Sequence, residues 1–248
     1  MTPLAWPLLA LVGFAAGVQN ALAGGGSFLT FPALLFAGLD ARAANITSTV
    51  ALFPGQVTTG LAGRRFVSGT PALPFRWLLA ISLVGGAVGA FLLLATPPDF
   101  FARLVPWLIL FATVVFAYGS FRRTPVAGVR IGRAGSFATQ AVISTYGGYF
   151  GGGIGFLMLA ALTLAGLALR KAQASKNVLA GAMNASAVVI FAFSPDVGWL
   201  RAAVLGAGAI AGGQIGALLL ARVNERALRI GVVCIGAALT GAMFWRAP

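Results

Sequence analysis

The chain has 248 residues, of which 59% are hydrophobic and 8% charged, against roughly a quarter charged in an ordinary soluble domain. Seventeen Lys and Arg face four acids for a net charge of +13, with one cysteine and no histidine. That balance excludes a soluble globular domain, a disulfide framework and a zinc cluster. The basic residues stand in short stretches between apolar runs, not on one continuous face, so nucleic acid is not an expected partner either.

Uncharged runs recur from end to end: Met1 to Leu39, Trp77 to Ala95, Leu104 to Phe121, Ala134 to Leu169, Asn177 to Phe193, Ala202 to Ala221 and Ile230 to Trp245. Most are near the roughly 20 residues that cross a bilayer core as helix. The alternating polarity of a membrane β-barrel is absent from the sequence. Backbone polar groups in lipid must be satisfied within each span, so the runs predict a polytopic, all-α bundle.

The first run opens with Leu4 to Ala16, which has the look of a signal-peptide core, and Ala21-Leu22-Ala23 has the small-x-small form of a cleavage site. No Lys or Arg precedes it, and the run has a counterpart in the second half of the chain, so a signal peptide is not expected.

That counterpart is a duplication. "GGGSFLTFPALLFAGLDARAA" from Gly24 corresponds to "GGGIGFLMLAALTLAGLALRKA" from Gly151, and "GGAVGAFLLLA" from Gly85 to "GGQIGALLLA" from Gly212. Both matches lie about 127 residues apart. The expected organisation is one integrated membrane domain: a first repeat over 1–123, a linker over 124–133 and a second repeat over 134–248.

Loop charge orients the halves. Arg64, Arg65 and Arg76, the linker arginines Arg122, Arg123, Arg130 and Arg133, then Arg170, Lys171 and Lys176, and finally Arg222, Arg226 and Arg229 mark cytoplasmic loops. The segments around Asp40 with Arg42, and Asp99 with Arg103, are balanced, and the loop with Asp196 and Arg201 reads as external. If the linker and Arg170 share a side, the 36 uncharged residues from Ala134 to Leu169 must cross an even number of times. As helix they would extend about 54 Å, too long for one crossing of a roughly 30 Å core. The run therefore folds back, at Gly147, Gly148 and Gly151 to Gly153, and the first run does so at Gly24 to Gly26. The fold expected is two inverted repeats, each a Gly-broken helical hairpin plus three spanning helices, about eight helices in total.

Glycine-interrupted segments at matching positions of two inverted repeats point to a substrate site, because a broken helix presents N–H groups and a positive dipole end to an anion. Isolated glycines such as Gly89, Gly216, Gly231 and Gly236 read instead as helix-packing positions. Polar residues gather around the triplets. Asn45, Ser48, Thr49, Gln56 and Thr59 fall on one helical face, expected to point into the bundle. The candidate substrate-binding residues are Asn20, Gly24, Gly25, Gly26, Ser27, Asn45, Ser48, Thr49 and Gln56 in the first half. In the second they are Tyr146, Gly151, Gly152, Gly153, Lys176, Asn177 and Asn184. Lys176 is read either as an anion ligand at the start of a span or as a positive-inside topology marker.

The triplet followed by "FPALLFAGLDARAANITSTVALFPGQ", with its second copy "GGGIGFLMLAALTLAGLALRKAQASKNVLAGAMN", resembles the sulfite exporter TauE/SafE family of bacterial permeases over nearly the whole chain. The resemblance implies multi-pass residence in the bacterial inner membrane and movement of sulfite, sulfoacetate or related sulfonates. The second copy lacks a counterpart of Pro32, which leaves open whether both hairpins are shaped alike. No cofactor, metal or catalytic residue is expected: the sequence has no histidine, one Cys and no acid deep in an apolar run. The expected partners are a small anion and the lipid bilayer, with homo-oligomerisation left open. The alternatives are a permease for another small anion such as a carboxylate, and a membrane scaffold subunit without transport.

Overall fold

The computed structural model describes residues 4–22, 24–121, 132–219 and 225–246. The expected linker, 124–133, lies outside them except for Gly132 and Arg133, as do Arg122, Arg123 and Arg222.

The described residues form ten α-helices and no strand. In chain order they are α1 (Ala5–Leu22), α2 (Ser27–Phe36), α3 (Ala41–Gly63), α4 (Phe75–Ala95), α5 (Pro98–Phe121), α6 (Arg133–Tyr149), α7 (Ile154–Leu164), α8 (Leu169–Phe191), α9 (Trp199–Leu219) and α10 (Glu225–Arg246). A 3₁₀ turn, Arg64–Phe66, follows α3. The count exceeds the expected eight because each glycine break separates two distinct helices. Among the described residues, Phe75–Ala95, Pro98–Tyr118 and Arg170–Phe191 are long and apolar enough to cross a membrane. Large apolar side chains such as Val84, Phe91, Trp107, Phe111, Val142 and Val189 are exposed on the outside. Helices apolar on both faces are what lipid on one side and a packed core on the other select.

The breaks fall where the glycines are. Gly24 and Gly25 have φ of 82° and 80°, and Gly151 and Gly153 have 75° and 73°, a region glycine enters at little cost and L side chains avoid. Gly147 and Gly148 depart from expectation: they lie inside α6, not at the turn. A Cβ on Gly148 would collide with the backbone of Gly86, so this glycine serves the crossing of α6 with α4. Gly231 departs too, since a Cβ there would meet nothing within 4 Å.

The two short helices end alike despite Pro32. Gly38 (φ 87°) and Gly166 (φ 94°) follow α2 and α7. Leu39 N–H donates to Leu34 O and Leu167 N–H to Leu162 O, each at 3.1 Å, the wrap-around bond of a glycine-terminated helix. α3 then starts on a capped end: Asp40 Oδ1 accepts from the N–H groups of Arg42 (2.9 Å) and Ala43 (3.0 Å). Asp40→Ala should therefore cost about 1 kcal/mol of stability, read as a lowered melting temperature in detergent.

Most helix contacts recur when the halves are exchanged, although α3 also packs on α5 with no comparable contact of α8 with α10 among the described residues. α1 packs along α9 as α6 packs along α4; α3 lies on α9 as α8 lies on α4. α3 and α8 cross each other, and α5 meets α10. The main apolar core takes Ala41 to Ala51 of α3 and Ala187 to Phe191 of α8, with Phe28, Phe31, Phe101, Phe116, Phe150 and Phe156. It fills the part of the bundle nearer Arg42 and Asp196, which pair at 2.8 Å. The opposite end is joined by Ser68 and Ser175: Ser68 N–H donates to Ser175 Oγ (2.9 Å) and Ser175 Oγ donates to Ser68 O (2.8 Å).

Candidate functional site

Each break is braced by the helix before it. Gln19 Nε2 donates to Gly25 O (2.9 Å), and Gly26 N–H donates to Asn20 Oδ1 (2.8 Å). In the second half the Tyr146 hydroxyl donates to Gly152 O (2.9 Å), and Tyr146 O accepts from Phe150 N–H (2.9 Å). These bonds hold backbone that has left the helical ladder and would otherwise be unsatisfied.

The two breaks meet. A Cβ placed on Gly24 would lie 3.4 Å from Gly155 Cα, and one on Gly155 would lie 3.3 Å from Gly24 Cα. Beside this crossing is a small cavity of about 40 Å³, on the side of the aromatic core nearer Arg64 and Arg170. Of the sequence-derived candidates it is lined by Asn20, Gly24, Gly25, Ser27, Gln56, Gly151, Lys176 and Asn177.

The others lie around it in supporting contacts. Asn45 Nδ2 donates to Tyr149 O (3.0 Å), tying α3 to the end of α6, and Thr49 donates to Asn45 O. Ser48 Oγ and Thr30 Oγ1 pair at 2.5 Å. Gly26, Tyr146 and Gly152 act through the bracing bonds already given, and Gly153 packs against Ala112 of α5. Asn184 Nδ2 donates to Gln56 Oε1 at 2.6 Å. These two amides stand 128 positions apart, the separation that also relates Arg42 to Arg170, so residues at matching positions of the two expected repeats bond to each other. With its oxygen occupied, Gln56 is left with an NH₂ donor at the cavity.

Thr59 and Gly155 also line the cavity and were not among the candidates. The signal for Thr59 was present, three residues after Gln56 on the same helical face. Its hydroxyl donates to Gly55 O (3.1 Å) or Gln56 O (3.0 Å), so it forms wall and offers no proton. Gly155 had only the "GGGIG" spelling to mark it.

Lys176 differs most from its sequence reading. α8 begins at Leu169, so Lys176 sits two turns inside the helix and not at its start. It is 2% exposed, whereas a topology marker would be exposed, as Arg170 is with its guanidinium 3.9 Å over the Phe66 ring. Its Nζ lines up against the first turn of α7, 3.8 Å from where a Cβ on Gly155 would stand. Among the described residues it has no hydrogen-bond acceptor and no carboxylate partner. The N–H groups of Ile154 and Gly155 likewise find no acceptor among the described residues. The cavity is therefore a cluster of donors: an ammonium, two first-turn amides, and the side chains of Asn20, Gln56 and Asn177. Among the described residues no group of His, Cys, Asp and Glu could hold a metal ion.

An all-helical membrane bundle enclosing a small polar cavity at the meeting of two broken helices is built as a membrane transporter. The chain belongs to the sulfite exporter TauE/SafE family, whose model matches residues 9–243. It is 29% identical to a "Probable membrane transporter protein" of Haemophilus influenzae, over 96% of this chain and 94% of that one. It is 31% identical to "Probable membrane transporter protein ORF9" of Sinorhizobium sp, over 87% and 84%. With "Probable membrane transporter protein YfcA" of Escherichia coli K12 it shares 25% over 99% and 91%. No solved structure matches the chain.

Proposed function

We propose that the chain is a permease for small, compact anions, sulfite and similar sulfur oxyanions first, carried across the bacterial inner membrane by two inverted repeats. The observation that carries this reading is Lys176: a buried ammonium with no carboxylate partner among the described residues, opening on a cavity walled by free N–H donors. A buried charge left without a partner is costly, so such a site is built for an opposite charge that arrives from outside. The first turn of α7 adds its dipole and its amides to the same point. The cavity size, about 40 Å³, favours an inorganic oxyanion over sulfoacetate or longer sulfonates.

Family membership supports transport over a scaffold role. The matching Gly breaks, the pairing of Gln56 with Asn184 and the helix contacts that recur in both halves support the repeat reading. Basic loops at the Arg64 and Arg170 end orient that end to the cytoplasm.

The test is flux into proteoliposomes holding the purified chain, with labelled sulfite, sulfonates and carboxylates, with and without proton or sodium gradients. Sulfite should move fastest and larger sulfonates slowest. Exclusion of every anion while a cation passes would overturn the reading.

A further inference from the structure

We infer that this protein works as an anion exchanger, in which Lys176 makes return of the empty carrier the slow step, so that one anion crosses quickly only against another. The inference rests on the proposed anion site and adds its mode of coupling.

A carrier that shows its site to one side and then to the other must pass through a closed state. In the arrangement seen here Lys176 is 2% exposed and faces a cavity of about 40 Å³, room for no more than about three waters in place of bulk solvent. No carboxylate among the described residues is placed to replace that water. Asp40 caps α3, Asp196 pairs with Arg42, Asp99 stands in the first turn of α5 and Glu225 is the first residue of α10. The neutral side chains at the cavity, Asn20, Ser27, Gln56 and Asn177, offer donors to an anion and only uncharged oxygens to a cation. With an anion bound, the closed state holds a compensated pair; without one, it holds an ammonium with at most a few waters and no counter-charge in a low-dielectric interior.

The charge is not demanded by the fold. By the separation that relates Arg42 to Arg170, the counterpart of Lys176 in the first half is Ser48, which is equally buried, neutral and satisfied by Thr30 at 2.5 Å. The two halves share helix order and most helix contacts, yet one keeps a hydroxyl pair and the other an ammonium with no acceptor among the described residues. The free energy of that ammonium therefore depends on cargo, and so does the height of the barrier to reorientation.

The experiment loads proteoliposomes with labelled sulfite and follows its efflux into medium with or without unlabelled sulfite, at equal pH and with membrane potential clamped by valinomycin and potassium. External sulfite should speed efflux about ten-fold or more, a barrier difference small beside the cost of burying an ammonium without a counter-charge. In Lys176→Gln the residual efflux should show a ratio near one, because the charge that penalised the empty carrier is gone. Equal efflux in both media for the unaltered protein overturns the inference while leaving the anion site standing. So does efflux into anion-free medium that an imposed proton gradient accelerates as much as external sulfite does, or a ratio unchanged in Lys176→Gln. Absence of labelled efflux under every condition removes the anion reading itself, and exchange with it.

Discussion

Lys176→Met should cut anion flux about 100-fold or more and at the same time raise the melting temperature. The two effects have one cause. Methionine matches the length of the lysine stem and fills the same space in α8, between α7 and α3, while removing a charge that is 2% exposed and has no carboxylate partner among the described residues. Replacing buried ionic groups by apolar ones of similar volume commonly stabilises by about 1–4 kcal/mol, read here as a higher midpoint in a detergent melt. Loss of one principal donor to an anion costs about 100-fold or more in rate, read as sulfite uptake into proteoliposomes. A lysine kept for packing or topology would give the opposite pattern: lower stability, or misinserted protein, with flux retained in the fraction that folds. Stability and activity moving in opposite directions is thus the signature that separates a ligand from a structural cation.

The duplicated triplets were legible in the sequence because three consecutive glycines inside an uncharged run have few uses, and their recurrence after a fixed interval leaves fewer. They mark both breaks correctly, and the breaks meet at Gly24 and Gly155. Gly147 and Gly148 were not separable from them by spelling alone. A glycine that permits a positive φ and a glycine that permits a close helix crossing look identical in sequence, and the distinction lives in the partner helix, here α4 with Gly86. Lys176 was misplaced for a different reason. Arg170 and Lys171 read as loop charges, yet α8 has already begun at Leu169, and Arg170 folds its side chain onto Phe66. Long basic side chains reach away from the helix that carries them, so charge marks the end of a span poorly to within two turns. The polar face of α3 held in part: Gln56 and Thr59 reach the cavity, whereas Asn45 and Ser48 are consumed by Tyr149 O and Thr30 nearer the aromatic core. Periodicity gives a face; it does not tell where along that face the space lies.

Gly89→Leu should leave little folded protein, while Gly231→Leu should fold and melt as the unaltered chain does. Both were read from sequence as packing glycines, and their surroundings are opposite. A Cβ on Gly89 would strike the backbone of Thr145 and Tyr149, and its neighbour Gly85 is equally pressed against Ser144. The crossing of α1 with α9 repeats the pattern with Gly17 and Gly212. Association in lipid relies on such close backbone approach, because apolar side chains gain little by leaving lipid for protein. The obstacle at Gly89 is main chain, which has no rotamer to change, so α6 must shift bodily at a cost of about 3 kcal/mol or more. That shift would also carry Tyr146 and Tyr149, which hold Gly152 and Asn45, away from the second break. Any Gly89→Leu protein that survives should therefore have lost flux as well. A Cβ on Gly231 meets nothing within 4 Å, so Leu there should change stability by no more than about 0.5 kcal/mol. Detergent melts of the two variants, with sulfite flux on whatever folds, make the comparison; equal melting points would mean that α4 and α6 do not cross on Gly89.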